Sequence, residues 1–393
     1  VLANGFTKAI TMGAGNDTMT LSGTADVTGA PQLDGGVADV STTGVETDTL
    51  NIENITLRGF TAASDDSTGN LTETNNTNLT QWEVINVSNS GTLKLSGDLF
   101  AESNVGTLNI VDSTSTLDLP GSLGTTYTVN GDVTNAGLIY WENLGSTLYV
   151  NGNYTGNAGK ISLGTDLGDD NSITDKLVIA KDSIGTTSVT VRPEGTSAGA
   201  QTVEGIKIVD VQGKASPGVF TLASPVEAGA YEYVLLQGGV STPTDGDWYL
   251  RSSLIPVTPT DPTTPTDPTE PTTPIYRPGT SNYVSGQTAN AEQGFAALGT
   301  LHERMNEQQV VSTDKQTWAR YYGNTESNNG DSRFNYNQHV RAAQVGQDLY
   351  NKTTDNGTNV HSGVMFDYSY STVDFADRVR EDALLDNTTG TMN

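Results

Sequence analysis

Residues 1–152 consist of short runs in which apolar and polar residues alternate, and most runs are followed by Gly, Asn or Asp. Alternation turns every second side chain to the same face of a strand, so Leu93 shares a face with Leu95, and Leu148 with Val150. The clearest runs are TLNIENITL (49–57), WEVINVS (82–88), TLKLSGDL (92–99), TLNIV (107–111), TLDLPGSL (116–123), YTVNGDV (127–133) and TLYVNGNY (147–154). This pattern predicts many short strands.

Two of these runs repeat each other. TVNGDVTNAG (128–137) aligns with YVNGNYTGNAG (149–159) at an offset of about 21, which sets Gly131 against Gly152. A period near twenty without a helical pattern is typical of a parallel β-helix, whose stacked coils bury a narrow aliphatic column. We predict an all-β fold in which residues 1–152 form a right-handed parallel β-helix. The Asn-Gly pairs in both runs also suit hairpin turns, so an antiparallel sandwich is the alternative.

Residues 153–254 carry longer strand patterns and more aromatic residues than the segment before them. A solenoid needs a cap, because the backbone edge of its last coil is otherwise open to pairing with other chains. We therefore predict a C-terminal cap in this segment. The residues expected to fold it are Tyr231, Tyr233, Trp248 and Tyr249.

Three further segments follow the predicted cap. Residues 255–284 are rich in Pro and Thr, and the prolines prevent helix and ladder pairing, which predicts an extended linker. Residues 285–310 have apolar residues at three- to four-residue spacing and predict one α-helix. In residues 311–393, alternating aromatic and polar residues predict a few antiparallel strands, long enough to cross an outer membrane as part of a β-barrel.

The order of these segments resembles the C-terminal part of a bacterial autotransporter (type V secretion) of the pertactin/AIDA-like kind. YVNGNYTGNAGKISLGTDLGDDNSITDKLVI, AGAYEYVLLQG and DGDWYLRS resemble the autochaperone region at the end of the family's passenger. ALGTLHERMNEQQ resembles the family's pore helix, and WARYYGN with NYNQHVRAAQVGQDLY resembles its first barrel strands. The resemblance covers roughly residues 145–375.

The resemblance implies a surface protein of a Gram-negative bacterium, with its passenger extracellular and folded as a β-helix after crossing the outer membrane. It implies the outer membrane and its barrel-assembly machinery as partners. Host or bacterial surface ligands would be the targets of adhesion or biofilm formation. Family barrels have twelve strands and only about three are recognisable here, so we expect that these residues alone form no working translocator. The first residues, VLANGFTKAI, lack signal-peptide features, which favours a fragment or a truncated product.

Composition narrows the possible partners and sites. Asp and Glu number 46 against 19 Lys and Arg, which gives a net charge of −27. A surface of this charge repels phosphate backbones, so nucleic acid is excluded as a partner. The chain contains no cysteine, which excludes disulfides, thiolate metal sites and cysteine nucleophiles. No cofactor is predicted.

Calcium is the metal that the sequence suggests. GAGNDTMTL (13–21), which contains Asp17, is similar to one turn of a calcium-binding β-roll, although Ala14 departs from the nonapeptide pattern. Asp169 and Asp170 in TDLGDDNS could hold Ca²⁺ weakly. The alternatives are a glycine turn that leads into a strand and a solvated loop. A secreted, calcium-stabilised β-roll protein is the alternative to the autotransporter hypothesis.

Catalytic chemistry has little support in the sequence. Histidine occurs only at positions 302, 339 and 361, beyond the predicted linker, so the predicted solenoid can contain neither a Ser-His-Asp triad nor a histidine metal site. We predict that the protein is not an enzyme. A polysaccharide-active β-helix enzyme is a further alternative, because carboxylate pairs are available. A carboxylate cluster flanked by Arg or Lys on one solenoid face would favour it.

Overall fold

The fold is described from a computed structural model, for residues 9–23, 32–36, 46–60, 77–101, 106–254, 273–277, 279–298, 317–328 and 334–375. The chain divides into two compact units, Val1–Ile275 and Tyr276–Asn393. The helix that the described residues form is not apolar enough to cross a membrane.

The first unit is built from short strands up to residue 150 and from several longer ones after it. The first group is β1 (Ile10–Thr11), β2 (Thr18–Ser22), β3 (Gln32–Asp34), β4 (Thr49–Glu53), β5 (Thr56–Phe60), β6 (Thr77–Thr80), β7 (Val84–Ser88), β8 (Thr92–Leu95), β9 (Gly106–Ile110), β10 (Thr116–Leu119), β11 (Thr126–Val129), β12 (Gly131–Asn135), β13 (Leu138–Trp141) and β14 (Thr147–Val150). The second group is β15 (Tyr154–Thr165), β16 (Lys176–Ile179), β17 (Ser183–Pro193), β18 (Ile206–Val211), β19 (Phe220–Leu222), β20 (Val226–Ala228), β21 (Tyr231–Gln237), β22 (Trp248–Arg251), β23 (Ser253–Leu254) and β24 (Thr273–Pro274).

Parallel pairing between successive coils arranges these strands into three faces. The first face runs β2–β4–β7–β9–β12 and continues into the first halves of β15 and β17. The second face runs β5–β8–β10–β13, continues into the second halves of β15 and β17, and ends at β19. The third face runs β11–β14–β16–β18, while β1, β3 and β6 form a parallel row in the earlier coils. The predicted β-helix is thus confirmed, and the sandwich alternative is wrong.

Inward-facing side chains form aliphatic ladders along these faces. On the second face Leu57, Leu93, Leu117 and Ile139 occupy successive coils in register, and all four are buried. The predicted offset is observed on the third face, where Tyr127 pairs with Leu148. Burying one such aliphatic side chain contributes about 1.5–3 kcal/mol. The ladders therefore form one continuous core along the solenoid.

Strand β15 bends from the first face to the second. Its first residues pair with β12 and its later residues pair with β13. The bend coincides with a register shift between Asn157 and Gly159, where Ala158 has φ of 55°. Such a bulge re-aims a strand without ending it.

The last part of the predicted linker is ordered. Residues 255–272 lie outside the described residues, but β24 pairs with β23, and Ile275 is buried. The backbone nitrogen of Ile275 donates to Ser252 O at 2.7 Å, and its carbonyl accepts from Glu232 N at 3.1 Å. The chain that follows the proline-rich stretch thus buries one apolar side chain, that of Ile275, in the first unit.

The second unit contains helix α1 (Thr280–Leu298) and the strands β25 (Thr317–Asn328), β26 (Tyr336–Thr353) and β27 (Asn359–Phe375). The three strands form an antiparallel up-and-down sheet, in line with the prediction. The helix begins at Thr280, before the predicted start at residue 285, because Gly279 with φ of 91° exposes a carbonyl that accepts from Asn282 N. Residues 299–310 of the predicted helix lie outside the described residues.

Candidate functional site: the C-terminal cap of the solenoid

The third face changes from parallel to antiparallel pairing at its C-terminal end. Strand β18 pairs in parallel with β16 and antiparallel with β22, and the sheet continues through β21 to β20. The register sets Ile206 against Leu250 and Lys207 against Tyr249. The edge that β18 would otherwise expose is therefore covered by a hairpin from the same chain, as a cap requires.

An aromatic column fills the end of the solenoid interior. The ring of Tyr154 stacks on Phe220 with centroids 5.6 Å apart, and Phe220 meets Trp248 edge-on at 5.7 Å. All three side chains are buried. Offset-stacked and edge-to-face pairs each contribute about 0.5–1.5 kcal/mol beyond the area that they bury. Trp248 thus joins the cap to the core.

The hydroxyl of Tyr233 joins two loops to the cap. Its one O–H lies within hydrogen-bond distance of two acceptors, Gly168 O at 2.9 Å and Ala200 O at 3.0 Å. Its oxygen accepts from Ala200 N at 3.0 Å. The ring is fully buried on β21. One phenol therefore satisfies backbone groups in the segments before β16 and before β18.

Tyr249 lies in a cluster of charged side chains. Its hydroxyl donates to Asp245 Oδ2 at 2.8 Å, and its ring lies 5.5 Å from Lys207 Nζ and 5.7 Å from Arg251 Cζ. Burial and the hydrogen bond with Asp245 raise the pKa of Tyr249 to about 12. Asp247 completes the cluster, because it binds Lys207 and accepts from Val211 N at 2.8 Å.

Three of the four predicted cap residues are buried, Tyr233 on β21 and Trp248 and Tyr249 on β22. Tyr231 is the exception, since it is only half-buried at the start of β21 and pairs there with Ala228. Sequence reasoning missed Arg251, which is buried and donates from Nε to Glu204 O at 2.9 Å. Asp245, Asp247, Tyr249 and Arg251 occupy alternate positions, so the period-two pattern in DGDWYLRS could have revealed them.

The carboxylates of two calcium candidates, Asp169 and Asp170, accept backbone hydrogen bonds, whereas Asp17 donates through its backbone nitrogen and its buried Oδ2 accepts none from the described residues. Asp170 Oδ1 accepts from Val203 N and Gly205 N at 2.9 and 2.8 Å, and Oδ2 accepts from Glu204 N at 3.0 Å. Asp169 Oδ1 accepts from Asn171 N at 3.0 Å. The backbone nitrogen of Asp17 donates to Asp48 Oδ1 at 2.7 Å. Within the described ranges, no group of three or more His, Cys, Asp or Glu is arranged to hold a metal ion.

A further carboxylate, that of Asp175, was not predicted. It is completely buried and accepts hydrogen bonds from the backbone nitrogens of Gly145, Ser146 and Gly164 at 2.7–3.0 Å. These donors come from the turn before β14 and from β15, so the carboxylate ties two coils together. Burial raises the pKa of Asp175, and the backbone hydrogen bonds oppose that shift.

Comparison with known proteins agrees with this geometry. Residues 125–235 match the family model described as Autochaperone Domain Type 1, which covers the aromatic column up to Phe220 and strand β21 as far as Leu235. This chain belongs to the autotransporters. Members of this family reside at the outer membrane and cell surface of Gram-negative bacteria, and the first unit has the fold of a passenger.

Three relatives illustrate the similarity. The chain is 36% identical over 344 residues to the adhesin BmaC autotransporter of Brucella suis biovar 1, covering 77% of this chain and 9% of the relative. It is 33% identical over 237 residues to the autotransporter adhesin AIDA-I of Escherichia coli, covering 58% and 17%. It is 35% identical over 204 residues to the probable autotransporter YfaL of Escherichia coli K12, covering 45% and 16%. The chain thus spans less than a fifth of the length of each of these relatives.

Removing the hydroxyl of Tyr233 is expected to weaken the cap. Tyr233→Phe removes the acceptor of Ala200 N and the donor to Gly168 O, whereas Ala200 O keeps its hydrogen bond from Ser252 Oγ, so the free energy of unfolding should fall by about 1–3 kcal/mol. Chemical denaturation of the full chain measures this loss. Tyr149→Phe is the control, since Tyr149 lies half-buried on β14 and its hydroxyl makes no hydrogen bond to any described residue. Equal losses in both variants would contradict the role of Tyr233.

Calcium is expected to leave stability unchanged. The oxygens of Asp170 already accept three backbone hydrogen bonds, and a metal ion would have to displace them. Thermal unfolding of the full chain, followed by far-UV circular dichroism, should give the same midpoint with millimolar Ca²⁺ as with EDTA. Folding only in the presence of Ca²⁺ would restore the β-roll hypothesis, and Asp17→Asn and Asp170→Asn would then distinguish the two candidate sites.

Proposed function

We propose that the first unit is the stem of a surface-displayed passenger and that its cap starts the folding of the β-helix outside the cell. The aromatic column and the antiparallel hairpin at the end of the solenoid support this role. The strands β18, β21 and β22, which pair there, are close to one another in the sequence. Local pairing costs less loop-closure entropy than the pairing of distant coils, so a cap of this kind is a suitable nucleus.

Once the cap is folded, each earlier coil can add to a preformed edge. The coil that contains β14 pairs with β16, and the coil that contains β11 then pairs with β14. Each addition buries inward residues such as Leu148 and Tyr127 against side chains that are already in place. Folding from the C-terminal end would therefore favour outward transport of the chain without a separate energy source.

The task of the displayed passenger is proposed to be adhesion, without catalysis. Two relatives are named as adhesins, which supports this assignment. A solenoid presents a long repetitive surface, on which weak contacts to host or bacterial surface ligands add together. On the first face, for example, Asn86 Nδ2 donates to Asn51 Oδ1 and Asn109 Nδ2 to Asn86 Oδ1, both at 2.9 Å, so outward amides form a regular ladder.

The second unit is proposed to begin the translocator in the outer membrane. Its sheet has polar side chains towards α1: Gln338 Nε2 donates to Ala289 O at 3.0 Å and Gln344 Nε2 to Ala297 O at 2.7 Å. The opposite face of the sheet is exposed; one part of it is apolar or aromatic, and His339 and Arg341 lie in the rest. We call it the open face, and its large members are Tyr321, Val345, Val364, Phe366, Tyr368 and Tyr370. An apolar outer surface over a polar interior suits lipid.

The folding role is tested by comparing two large-to-small substitutions. Trp248→Ala and Ile85→Ala should each destabilise the chain by several kcal/mol, about 3–5 and 2–5 respectively. If the cap is the nucleus, Trp248→Ala slows refolding by a factor of about 30, whereas Ile85→Ala mainly speeds unfolding. Stopped-flow refolding and unfolding of the full chain measure both rates. Refolding slowed equally by the two substitutions, or by Ile85→Ala alone, would refute nucleation at the cap.

The membrane role is tested with single cysteines, since the chain contains none. Ala343 and Asn337 lie on the same side of β26 and are both exposed, but only Ala343 lies within the apolar part of the open face. With lipid vesicles, Ala343→Cys should become protected from a water-soluble maleimide, while Asn337→Cys should stay reactive. Equal reactivity of the two cysteines, with and without vesicles, would refute a lipid contact at the open face.

A further inference from the structure

A charged row crosses the outward side of the second face. Arg58, Lys94, Asp118 and Tyr140 occupy successive coils in register on β5, β8, β10 and β13. Glu142 follows the end of β13 and lies beside the same row. The row thus runs from coils before the autochaperone match into the matched residues 125–235.

One ammonium group serves two carboxylates in this row. Lys94 Nζ lies 2.5 Å from Glu142 Oε1 and 3.6 Å from Asp118 Oδ2, so the lysine on β8 reaches across the intervening coil. The side chains are only 24%, 14% and 34% exposed for Lys94, Asp118 and Glu142. Two carboxylates therefore share one ammonium group, and solvent screens the repulsion between them incompletely.

The carboxylate of Asp118 is poorly solvated. Its Oδ1 atom is buried and accepts no hydrogen bond from the described residues. Burial and the neighbouring charge of Glu142 raise the pKa of Asp118 to about 6, against the opposing charge of Lys94. The hydrogen bond from Lys94 instead lowers the pKa of Glu142. When a proton binds, Asp118 takes it, and Glu142 stays ionised and paired with Lys94.

Four other charged or titratable groups surround the cluster, namely Arg58, Tyr127, Arg192 and Glu194. Arg192 on β17 covers the ring of Tyr140 at 4.8 Å, but its guanidinium is engaged by Glu194, Ser162 and the carbonyl of Trp141. Arg58 on β5 and Tyr127 on β11 complete the surroundings, and Arg58 acts electrostatically on Glu142 and on Tyr127. Burial raises the pKa of Tyr127 to about 12, so this phenol stays neutral.

The cluster is the feature that would have favoured a polysaccharide-active enzyme. Catalytic carboxyl groups of glycosidases stand about 5–9.5 Å apart with substrate or water between them. Here Lys94 Nζ contacts both carboxylates, at 3.6 Å from Asp118 Oδ2 and 2.5 Å from Glu142 Oε1. The arrangement is therefore that of an ion-paired contact between coils, in which an ammonium group stands where a glycosidase would hold substrate or water.

We propose that Lys94, Asp118 and Glu142 form a proton-dependent joint between the autochaperone segment and the coils that precede it. In mildly acidic medium the proton on Asp118 relieves the repulsion between the two carboxylates, and the three coils hold together more tightly. At neutral pH the joint is loosened. One consequence of the proposal rests on the proposed folding role: acid would favour the addition of the coils that precede residue 125 to the folded autochaperone segment.

The sign of the pH dependence follows from linkage. An aspartate has a pKa near ~3.9 in an unfolded chain, and folding raises it here to about 6. The folded state thus binds more protons than the unfolded state between these two values. Stability from this group is greatest at acidic pH and is lost as the pH rises through about 6.

The joint is tested by thermal unfolding of the full chain at about pH 5 and about pH 7.5, on either side of the predicted transition. Asp118→Asn mimics the protonated carboxyl, because its amide can donate to Glu142 without a charge. It should raise the midpoint by about 2–4 °C at the higher pH and by less at the lower pH, where the folded Asp118 is already largely protonated. Hydrogen exchange of β8, β10 and β13 should show the same gain in protection.

Asp132→Asn is the matched control. Asp132 lies on the first face, its Oδ1 accepts from Asn153 N at 2.7 Å, and the substitution changes the net charge by the same amount. It should not stabilise the chain selectively at the higher pH. The proposal is overturned if Asp118→Asn has the same effect at both pH values, or if it matches the control.

Failure of the joint can be distinguished from failure of the folding role. The midpoints are equilibrium quantities, so they do not depend on where folding starts. Trp248→Ala could leave the refolding rate unchanged while Asp118→Asn still reduces the pH dependence of the thermal midpoint. The proton-dependent joint would then be supported and nucleation at the cap refuted. Lys94→Met offers a second check, because loss of the ammonium should shift the transition to a higher pH.

Discussion

Backbone hydrogen bonding between successive coils is the constraint on which this fold depends. A strand of four or five residues is stable only when neighbouring strands pair with its edges, so no coil stands alone. Registered columns such as Leu93, Leu117 and Ile139 follow from that pairing and fill the space that it encloses. The last coil has no successor, and the antiparallel strand β22 with Trp248 takes the place of one.

The strong negative charge has a structural use as well as an effect on solubility. Backbone N–H groups at the corners between faces cannot all pair within the ladders, and carboxylates there accept from them. Asp132 accepts from Asn153 N, and Asp182 accepts from Lys214 N at 2.8 Å. Asp170 and Asp175 each accept three such bonds. Much of the acidic content of the corners therefore stabilises the stacking of coils.

The sequence predicts the local features of this protein better than the distant ones. Strand positions and the offset near Tyr127 and Leu148 follow from alternation, which is a property of each strand alone. The roles of Asp175 and Arg251 were missed, because their partners lie in other coils and no local pattern marks them. The helix start was placed too late, since the decisive carbonyl belongs to Gly279, outside the apolar stripe.

Alternation cannot say which face of a strand points inwards, and the two units use it in opposite ways. In the solenoid the apolar residues are buried, whereas in β26 Gln338 and Gln344 face the helix. The carbonyls near the end of α1 need donors: Ala297 O accepts from Gln344 Nε2 and, at 3.0 Å, from Arg320 Nη2. Donors therefore line that side of the sheet beside the buried Val340 and Ala342, and strand parity turns Ala343 and Val345 outwards. An apolar outer face needs a non-aqueous environment, which is the physical reason for proposing lipid there.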